Sequence, residues 1–354
     1  MYAKKYRIIL PTVFACSVSL MGACETAGQV APTPAVEQVA SIEHVQPTQP
    51  DPMVIPARPT AERMNESLVR AASNYAVLMN QINLIPEETI GSPKHMNQTM
   101  DGLIQVFSPS LGPALIGYGA LIGAQSSDFV EGVLRTAKQR GVDSVIYQLY
   151  VNPNYAVSLP GALSATSDIQ ISWTNDIASI DRSSAHIKSQ SYSMQKEAKW
   201  KKKRADSRTE RLQVINKSQS LHFVAPEGTA QQIAEVGTIR AGDISGSAKR
   251  QQFWQAYGRA EQPKSENSTL NYIGVMQRKA LTLSALEILG ATGAESSEWI
   301  EDYMASPRLT QCVNTARLNT EQCIAAVHFK YEDAFCIAAH QLKEISNCMS
   351  GSAL

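Results

Sequence analysis

The reactive residues that stand out most clearly in this sequence of 354 residues are four cysteines near the C-terminus: Cys312, Cys323, Cys336 and Cys348. Their thiols are able to form disulfides or, together with His328 and His340, to bind a metal ion. Zinc sites favour a C-x2-4-C spacing, whereas the spacing here is C-x10-C-x12-C-x11-C. A C-x-x-C redox motif is also absent from the sequence. The spacing therefore predicts structural disulfides, with no metal site and no cofactor.

One S-x-x-K motif, Ser193-Met194-Gln195-Lys196, is the only candidate for nucleophilic catalysis. It resembles the motif of serine acyl-enzymes of the penicillin-binding type, in which the lysine helps to deprotonate the serine. The K-T-G and S-D-N companions of that family are missing, as are H-E-x-x-H, G-x-S-x-G and the Gly-rich phosphate loops. The sequence favours a protein without enzymatic activity, and an envelope serine hydrolase that uses Ser193 and Lys196 is a second alternative.

Positive charge is concentrated in residues 196–211, where eight basic residues face three acidic ones, for a net charge of +5 (8 − 3). The basic residues are Lys196, Lys199, Lys201, Lys202, Lys203, Arg204, Arg208 and Arg211. In an envelope protein such a cluster favours contact with an anionic lipid, an anionic glycan or an acidic protein face. The predicted contact residues are Lys199, Trp200, Lys201, Lys202, Lys203 and Arg204. The alternative is an ordinary solvated helix end.

Charge over the whole chain does not point to nucleic acid as a partner. Lys and Arg total 32, and Asp and Glu also total 32. A nucleic-acid-binding protein usually carries a marked basic excess. We therefore expect no nucleic acid among the partners.

The N-terminus has the pattern of an export signal. Lys4, Lys5 and Arg7 precede an apolar run over residues 8–20, and the small residues Gly22 and Ala23 follow. The run is shorter than the ~20 apolar residues that a membrane-spanning helix needs.

This segment resembles the bacterial lipoprotein signal peptide, whose lipobox ends in two small residues and a cysteine. The resemblance implies that residues 1–23 are removed, that a diacylglyceryl group joins the Cys24 thiol, and that the new amine is acylated. Residue 25 is Glu rather than the Asp that often retains enteric lipoproteins at the inner membrane, so the resemblance favours the outer membrane. An ordinary signal peptide with a chance cysteine is the alternative.

The four C-terminal cysteines lie in a segment with a weak internal repeat, CIAAVHFK at 323–330 and CIAAHQLK at 336–343. Steps of 11 and 12 residues are about three helical turns, which places cysteines on related helix faces. The segment is similar to twin CxnC helical hairpins, in which outer and inner cysteines pair. That resemblance implies the bonds Cys312–Cys348 and Cys323–Cys336. Spacing alone also allows the local bonds Cys312–Cys323 and Cys336–Cys348.

Between these ends the chain divides into a tether and a helical region. Residues 24–59 are rich in proline and lack helical periodicity, which predicts an extended, lipidated tether. Residues 60–305 are predicted to form a helical domain, and residues 306–354 a four-cysteine hairpin. Apolar stripes predict helices over 60–85 and 270–289, and a shorter helix is predicted around 251–257.

Two further segments have unusual composition. Residues 110–125 are the most apolar part of the mature chain and contain the pair Gly119 and Gly123, typical either of membrane insertion or of a buried core hairpin. Pro113 and the short length favour the core hairpin. Residues 160–194 follow heptad spacing, but many positions are small or polar, which predicts a long, thinly packed helix in an exposed hairpin.

Together these features predict a mainly α protein: a helical bundle with a long coiled-coil-like helix and a C-terminal disulfide-stapled hairpin. Aromatic content of 6% is low for a β-sandwich. The function that we expect is a structural or adaptor role in a cell-envelope assembly, with envelope proteins as partners. A periplasmic binding protein for an apolar or lipid ligand, held between the Met-rich helices of residues 64–124, is the alternative.

Overall fold

The structure, a computed structural model, describes residues 65–220 and 273–353. The predicted signal peptide, Cys24, the tether and the helix around 251–257 lie outside these residues. All of the described residues belong to one compact unit, so the four-cysteine segment packs in the same unit as the helices that precede it.

The described residues form helices and no strand, which confirms the prediction of a mainly α fold. The α-helices are α1 (Glu66–Leu84), α2 (Pro93–Leu103), α3 (Leu111–Gly123), α4 (Ser127–Arg140), α5 (Val142–Val151), α6 (Ala162–Lys196), α7 (Ala198–Lys201), α8 (Arg208–Asn216), α9 (Val275–Ile288), α10 (Ser297–Tyr303), α11 (Pro307–Ala326), α12 (Lys330–Cys336) and α13 (Lys343–Ala353). A π-helical segment, Ile337–Leu342, joins α12 to α13.

Helix α3 lies in the middle of the bundle and packs against α1, α6 and α9. Its small residues allow this approach: a Cβ atom on Gly119 would lie 2.6 Å from the Trp173 ring, and one on Gly123 would lie 2.5 Å from the Ser284 hydroxyl oxygen. The predicted hairpin is wrong, because this segment is one helix. Pro113 does not break it, since it lies in the first turn, where its missing N–H has no intrahelical partner to lose.

Among residues 65–220 and 273–353, no single helix is both long and apolar enough to cross a membrane. Residues 93–107 and 111–123 meet that test only as a pair, and the chain bends by 74° between them. All residues of α3 except Pro113 are buried in the protein, which accounts for the apolar composition of this segment.

Helix α6 is 35 residues long, as its heptad spacing predicted, but it lies inside the bundle rather than in an exposed hairpin. The small polar residues that suggested exposure are mostly buried. Three of their hydroxyls donate to backbone carbonyl oxygens of neighbouring elements: Ser183 to Ile82 (2.8 Å), Ser184 to Ala338 (2.8 Å) and Ser191 to Tyr331 (3.0 Å). A buried hydroxyl with a partner avoids the desolvation cost of an unsatisfied polar group.

The C-terminal hairpin has two disulfides, Cys312–Cys348 and Cys323–Cys336, with Cα–Cα distances of 5.6 and 5.7 Å. They connect α11 to the helix made of α12, the π-helical segment and α13. This is the outer-with-outer and inner-with-inner pairing that the twin CxnC resemblance implied, and the local alternative is wrong. The hairpin packs along α6, where Ser184 donates to a carbonyl of the π-helical segment.

A buried carboxyl group joins the start of α1 to the loop after α9. Glu287 is 3% exposed, and its carboxyl accepts hydrogen bonds from the Thr292 hydroxyl (2.5 Å) and from the backbone N–H of Asn65. The Asn65 side chain caps α1 and donates to the Thr292 carbonyl oxygen (2.9 Å). Burial raises the pKa of Glu287 to about 7, although these hydrogen bonds oppose the shift.

Replacing the Glu287 carboxyl group should change how the free energy of unfolding depends on pH. The folded protein holds the Glu287 proton up to a pKa of about 7, whereas the unfolded chain releases it near 4.5. The free energy of unfolding therefore falls as pH rises from about 4.5 to above 7, by roughly 3 kcal/mol at most. Glu287→Gln should remove this loss and be more stable than the parent at pH 8.

Urea denaturation at pH 5 and pH 8 measures the effect, with the exposed Glu298→Gln as a matched control. The control should keep the parent pH dependence. If Glu287→Gln and the parent show equal pH dependence, Glu287 is not the group that lowers the free energy of unfolding at high pH.

Candidate interaction surface

Five exposed cations follow the end of α6: Lys199, Lys201, Lys202, Lys203 and Arg204, named here the basic edge. Helix α6 stops at Glu197, whose backbone is extended, and the short helix α7 turns the chain toward the C-terminal hairpin. Lys199 pairs with Glu197 at 3.1 Å. Within the described part of the chain, no carboxylate lies within ion-pair distance of Lys201, Lys202 or Lys203. The edge therefore presents net positive charge to solvent.

Trp200 does not belong to this exposed surface, although the sequence placed it among the contact residues. It is 2% exposed and forms part of the hydrophobic core. The reason is geometric: in the single turn of α7 its side chain points inward, while its lysine neighbours point to solvent. Trp200 fixes α7 on the bundle and is not available to a partner.

The backbone of the basic edge is held against the start of α12. Arg204 and Phe329 form an isolated antiparallel bridge. The Ala205 N–H donates to the His328 carbonyl oxygen (3.1 Å), and the Lys330 N–H donates to the Lys203 carbonyl oxygen (3.0 Å). These hydrogen bonds order a segment that its sequence alone would leave as a charged loop.

A buried ion cluster lies directly beneath these backbone contacts. Lys330 is completely buried, and its ammonium group lies 2.6 Å from an Asp206 oxygen and 2.8 Å from an Asp333 oxygen. It also donates to the Asn97 side chain. Arg211, 4% exposed, pairs with the other oxygen of Asp333 at 3.2 Å. The cluster therefore joins α2, the basic segment, α8 and α12.

Burial and the neighbouring positive charges shift the pKa of the Asp206 carboxyl in opposite directions. Its partial burial works to raise its pKa, but hydrogen bonds from Lys330 and Asn97 and the charges of Lys330 and Arg211 outweigh that effect. The pKa of Asp206 is therefore lower than that of an ordinary aspartate. Arg211 belongs to the basic cluster in sequence but serves the interior, whereas the cations of the basic edge remain exposed.

Beside the basic edge, the end of α6 and the C-terminal hairpin enclose an open groove of about 340 Å³, named here the aromatic groove. Its apolar lining includes Tyr192, Ala326, Val327, Tyr331 and Phe335. The inner disulfide, Cys323–Cys336, also lines it. This groove was not predicted from the sequence. The available signal was the three aromatic residues at positions 329, 331 and 335 in a chain with few aromatics.

The geometry of the described residues supports neither the serine hydrolase that would use Ser193 and Lys196 nor a metal site. Ser193 and Lys196 are both exposed on α6, and the Ser193 hydroxyl donates to the Ser189 carbonyl oxygen at 3.1 Å. A serine nucleophile needs its base within reach in a sheltered cleft. Over residues 65–220 and 273–353, no three His, Cys, Asp or Glu side chains lie close enough together to hold a metal ion.

The hypothesis of an apolar ligand between the Met-rich helices stays a prediction: a groove of about 300 Å³ opens between α1 and α2, and its lining includes the apolar Leu84 and Leu103 beside the polar Glu88. Met79, Met96 and Met100 are at most 5% exposed and belong to the continuous hydrophobic core. A cleft of about 190 Å³ also opens between α1 and α6, but its lining includes the polar residues Asn83 and Asp176. This polarity suits water or a small polar molecule better than a lipid chain.

Comparisons with known proteins give no family for this chain: no protein-family model, no curated protein and no solved structure matches it.

Removal of the central cation should both destabilise the protein and release the basic edge. Lys330→Met leaves Asp206 without its ammonium partner and buries the Asp333 charge beside Arg211 alone. Loss of one partner of a buried ion pair costs about 3–5 kcal/mol. The exposed pair Lys343–Asp181 provides the control, since Lys343→Met should cost less than about 1 kcal/mol.

Two measurements check this prediction. Urea denaturation gives the loss in unfolding free energy, and limited trypsin digestion under native conditions reports cleavage after Lys201–Arg204. Lys330→Met should be cleaved there faster than the parent. Parent-like stability and parent-like cleavage would show that the ion cluster does not hold the basic edge.

Proposed function

We propose that this protein is a lipid-anchored adaptor of a bacterial cell envelope that binds an acidic partner through the basic edge. The single observation that carries the proposal is the fixed presentation of five exposed cations on a backbone bonded to residues 328–330. A solvated helix end would need neither the bridge to Phe329 nor the buried ion cluster beneath it.

The buried ion cluster supports a role in placement rather than in stability. A buried ion pair is often no more stabilising than apolar residues of the same volume, because desolvation opposes the attraction between the charges. Lys330 and Asp333 nevertheless lie at the point where the basic segment meets the hairpin. Ordering the segment before binding reduces the entropy that association loses.

Exposed cations also increase the rate of encounter with an acidic surface, and they select against basic partners. The acidic face of another envelope protein fits this edge best, because five cations on an ordered backbone match a surface that is itself ordered. Anionic glycans and anionic lipid headgroups are the other sources of negative charge at this location.

The N-terminal segment supplies the location in this proposal. The lipobox-like sequence ending at Cys24 would give acyl chains that hold the protein at a membrane, with the outer membrane favoured. The Pro-rich residues 25–59 would then place the helical unit up to about 100 Å from the lipid, at ~3.1 Å per residue if fully extended. That reach suits an adaptor that meets a partner in the periplasm.

Charge reversal of the basic edge tests the adaptor role. Lys201→Glu/Lys202→Glu/Lys203→Glu should reduce recovery of the partner at least tenfold after crosslinking in cells and affinity purification. The control Lys94→Glu/Lys138→Glu/Arg140→Glu has the same charge change at exposed residues of α2 and α4 and should keep recovery. Purification of the parent chain with no stoichiometric partner would refute the adaptor role.

Replacement of Cys24 tests the anchor separately. Cys24→Ser should abolish incorporation of radiolabelled palmitate and move the protein from the membrane pellet to the soluble fraction, because the thiol is the acceptor of the diacylglyceryl group. Cys16→Ser, which lies inside the predicted signal peptide, is the matched control and should keep both properties. Unchanged palmitate labelling in Cys24→Ser would mean that the protein is not anchored there.

A further inference from the structure

We propose that the aromatic groove receives an apolar side chain from an acidic segment of the protein partner. This inference rests on the proposed adaptor role and names the feature that the partner must have. The groove has a volume of about 340 Å³, at the lower end of the range of ligand sites. Tyr192, which lines it, is 50% exposed, which is unusual for a large aromatic residue next to a packed core.

Two of the polar groups around the groove are already engaged within the protein. The Glu332 carboxylate accepts hydrogen bonds from the backbone N–H groups of His328 (2.7 Å) and Phe329 (3.0 Å), where it caps α12. The Ser191 hydroxyl donates to the Tyr331 carbonyl oxygen (3.0 Å). The rest of the lining consists of aromatic rings, the methyl groups of Ala326 and Val327, the inner disulfide, and the side chains of Gln195 and His328.

Two cations stack on aromatic rings, one of which lines the groove and one of which adjoins it. The Lys188 ammonium group lies 5.5 Å from the centre of the Phe335 ring, and the Arg204 guanidinium group lies 4.6 Å from the centre of the Phe329 ring. Phe329 in turn stacks on Tyr331 at 5.6 Å. An apolar side chain in the groove would therefore have the Lys188 charge beside it and the Arg204 charge one ring away, which matches a segment with carboxylates flanking an apolar residue.

Covalent and backbone contacts hold the walls of the groove. The Cys323–Cys336 disulfide joins α11 to α12, two of the three helices that line the groove, and the bridge between Arg204 and Phe329 holds the basic edge to the start of α12. Pre-organised sites lose less conformational entropy on association. Tyrosine and arginine around one pocket are also the residue types that dominate the energy of protein–protein interfaces.

A protein segment fits the groove better than a lipid chain. The groove is open along one side, so an acyl chain in it would keep part of its surface in water. A partner protein would cover that side with its own residues and exclude water from the contact. The open groove and the basic edge then form neighbouring parts of one interface, since Arg204 stacks on Phe329, and Phe329 stacks on the groove residue Tyr331.

The test is a photo-crosslinker at the groove in cells that make the full chain. p-Benzoylphenylalanine replaces Tyr192, and the control position is Tyr147 on α5, which is 44% exposed. Mass spectrometry of the adduct identifies the crosslinked segment. We expect a segment of another protein that carries an apolar residue with carboxylates on both sides. Lys188→Glu/Arg204→Glu in the same chain should reduce the adduct at least tenfold, whereas Lys138→Glu/Arg140→Glu should not.

Several outcomes overturn the inference: an adduct with lipid, an adduct with a second copy of this chain, a basic crosslinked segment, or no adduct beyond that at position 147. Each is distinguishable from failure of the adaptor role. If the charge reversal at residues 201–203 abolishes partner recovery but Tyr192 gives no specific adduct, the adaptor role stands and the groove has no part in it. If no partner is recovered at all, both proposals fail.

Discussion

The contact of Lys330 with Asp206 and Asp333 is the interaction on which the rest of the interaction surface depends. The fully buried ammonium group of Lys330, at the start of α12, lies between the carboxylate of Asp206 in the basic segment and that of Asp333 in α12. Because a buried charge without a partner is strongly unfavourable, this arrangement strongly favours the docked position of residues 203–206. The backbone bridge between Arg204 and Phe329 accompanies that docking.

The same helical hairpin supports both parts of the surface. Its disulfides hold α11 to the helix that follows, and the hydroxyl groups of α6 attach that hairpin to the bundle through carbonyl oxygens. Positive charge and apolar aromatic surface therefore meet at one rigid place, close to the C-terminal end of the longest helix.

Local signals in the sequence predicted much of the fold. The apolar stripes over 60–85 and 270–289 indicated α1 and α9, and cysteine spacing indicated the C-terminal hairpin. The position of α6 was not predictable in this way, because its serines look solvent-exposed until their carbonyl partners are known. The ion cluster depends on pairs more than a hundred residues apart, such as Lys330 with Asp206, and a single sequence contains no local signal for them. Trp200 was misplaced because a lone aromatic residue in a basic run does not reveal its direction.

Hydrogen exchange of the backbone amides of Ala205 and Lys330 tests the central claim, that the basic edge is held in place before a partner binds. Both N–H groups donate across the contact between the basic segment and α12. The account predicts that they exchange slowly, with protection close to that of the core helix α3, because they open only when the ion cluster opens. Exchange at the rate of an unstructured loop would contradict it, since the cations would then be carried on a mobile segment.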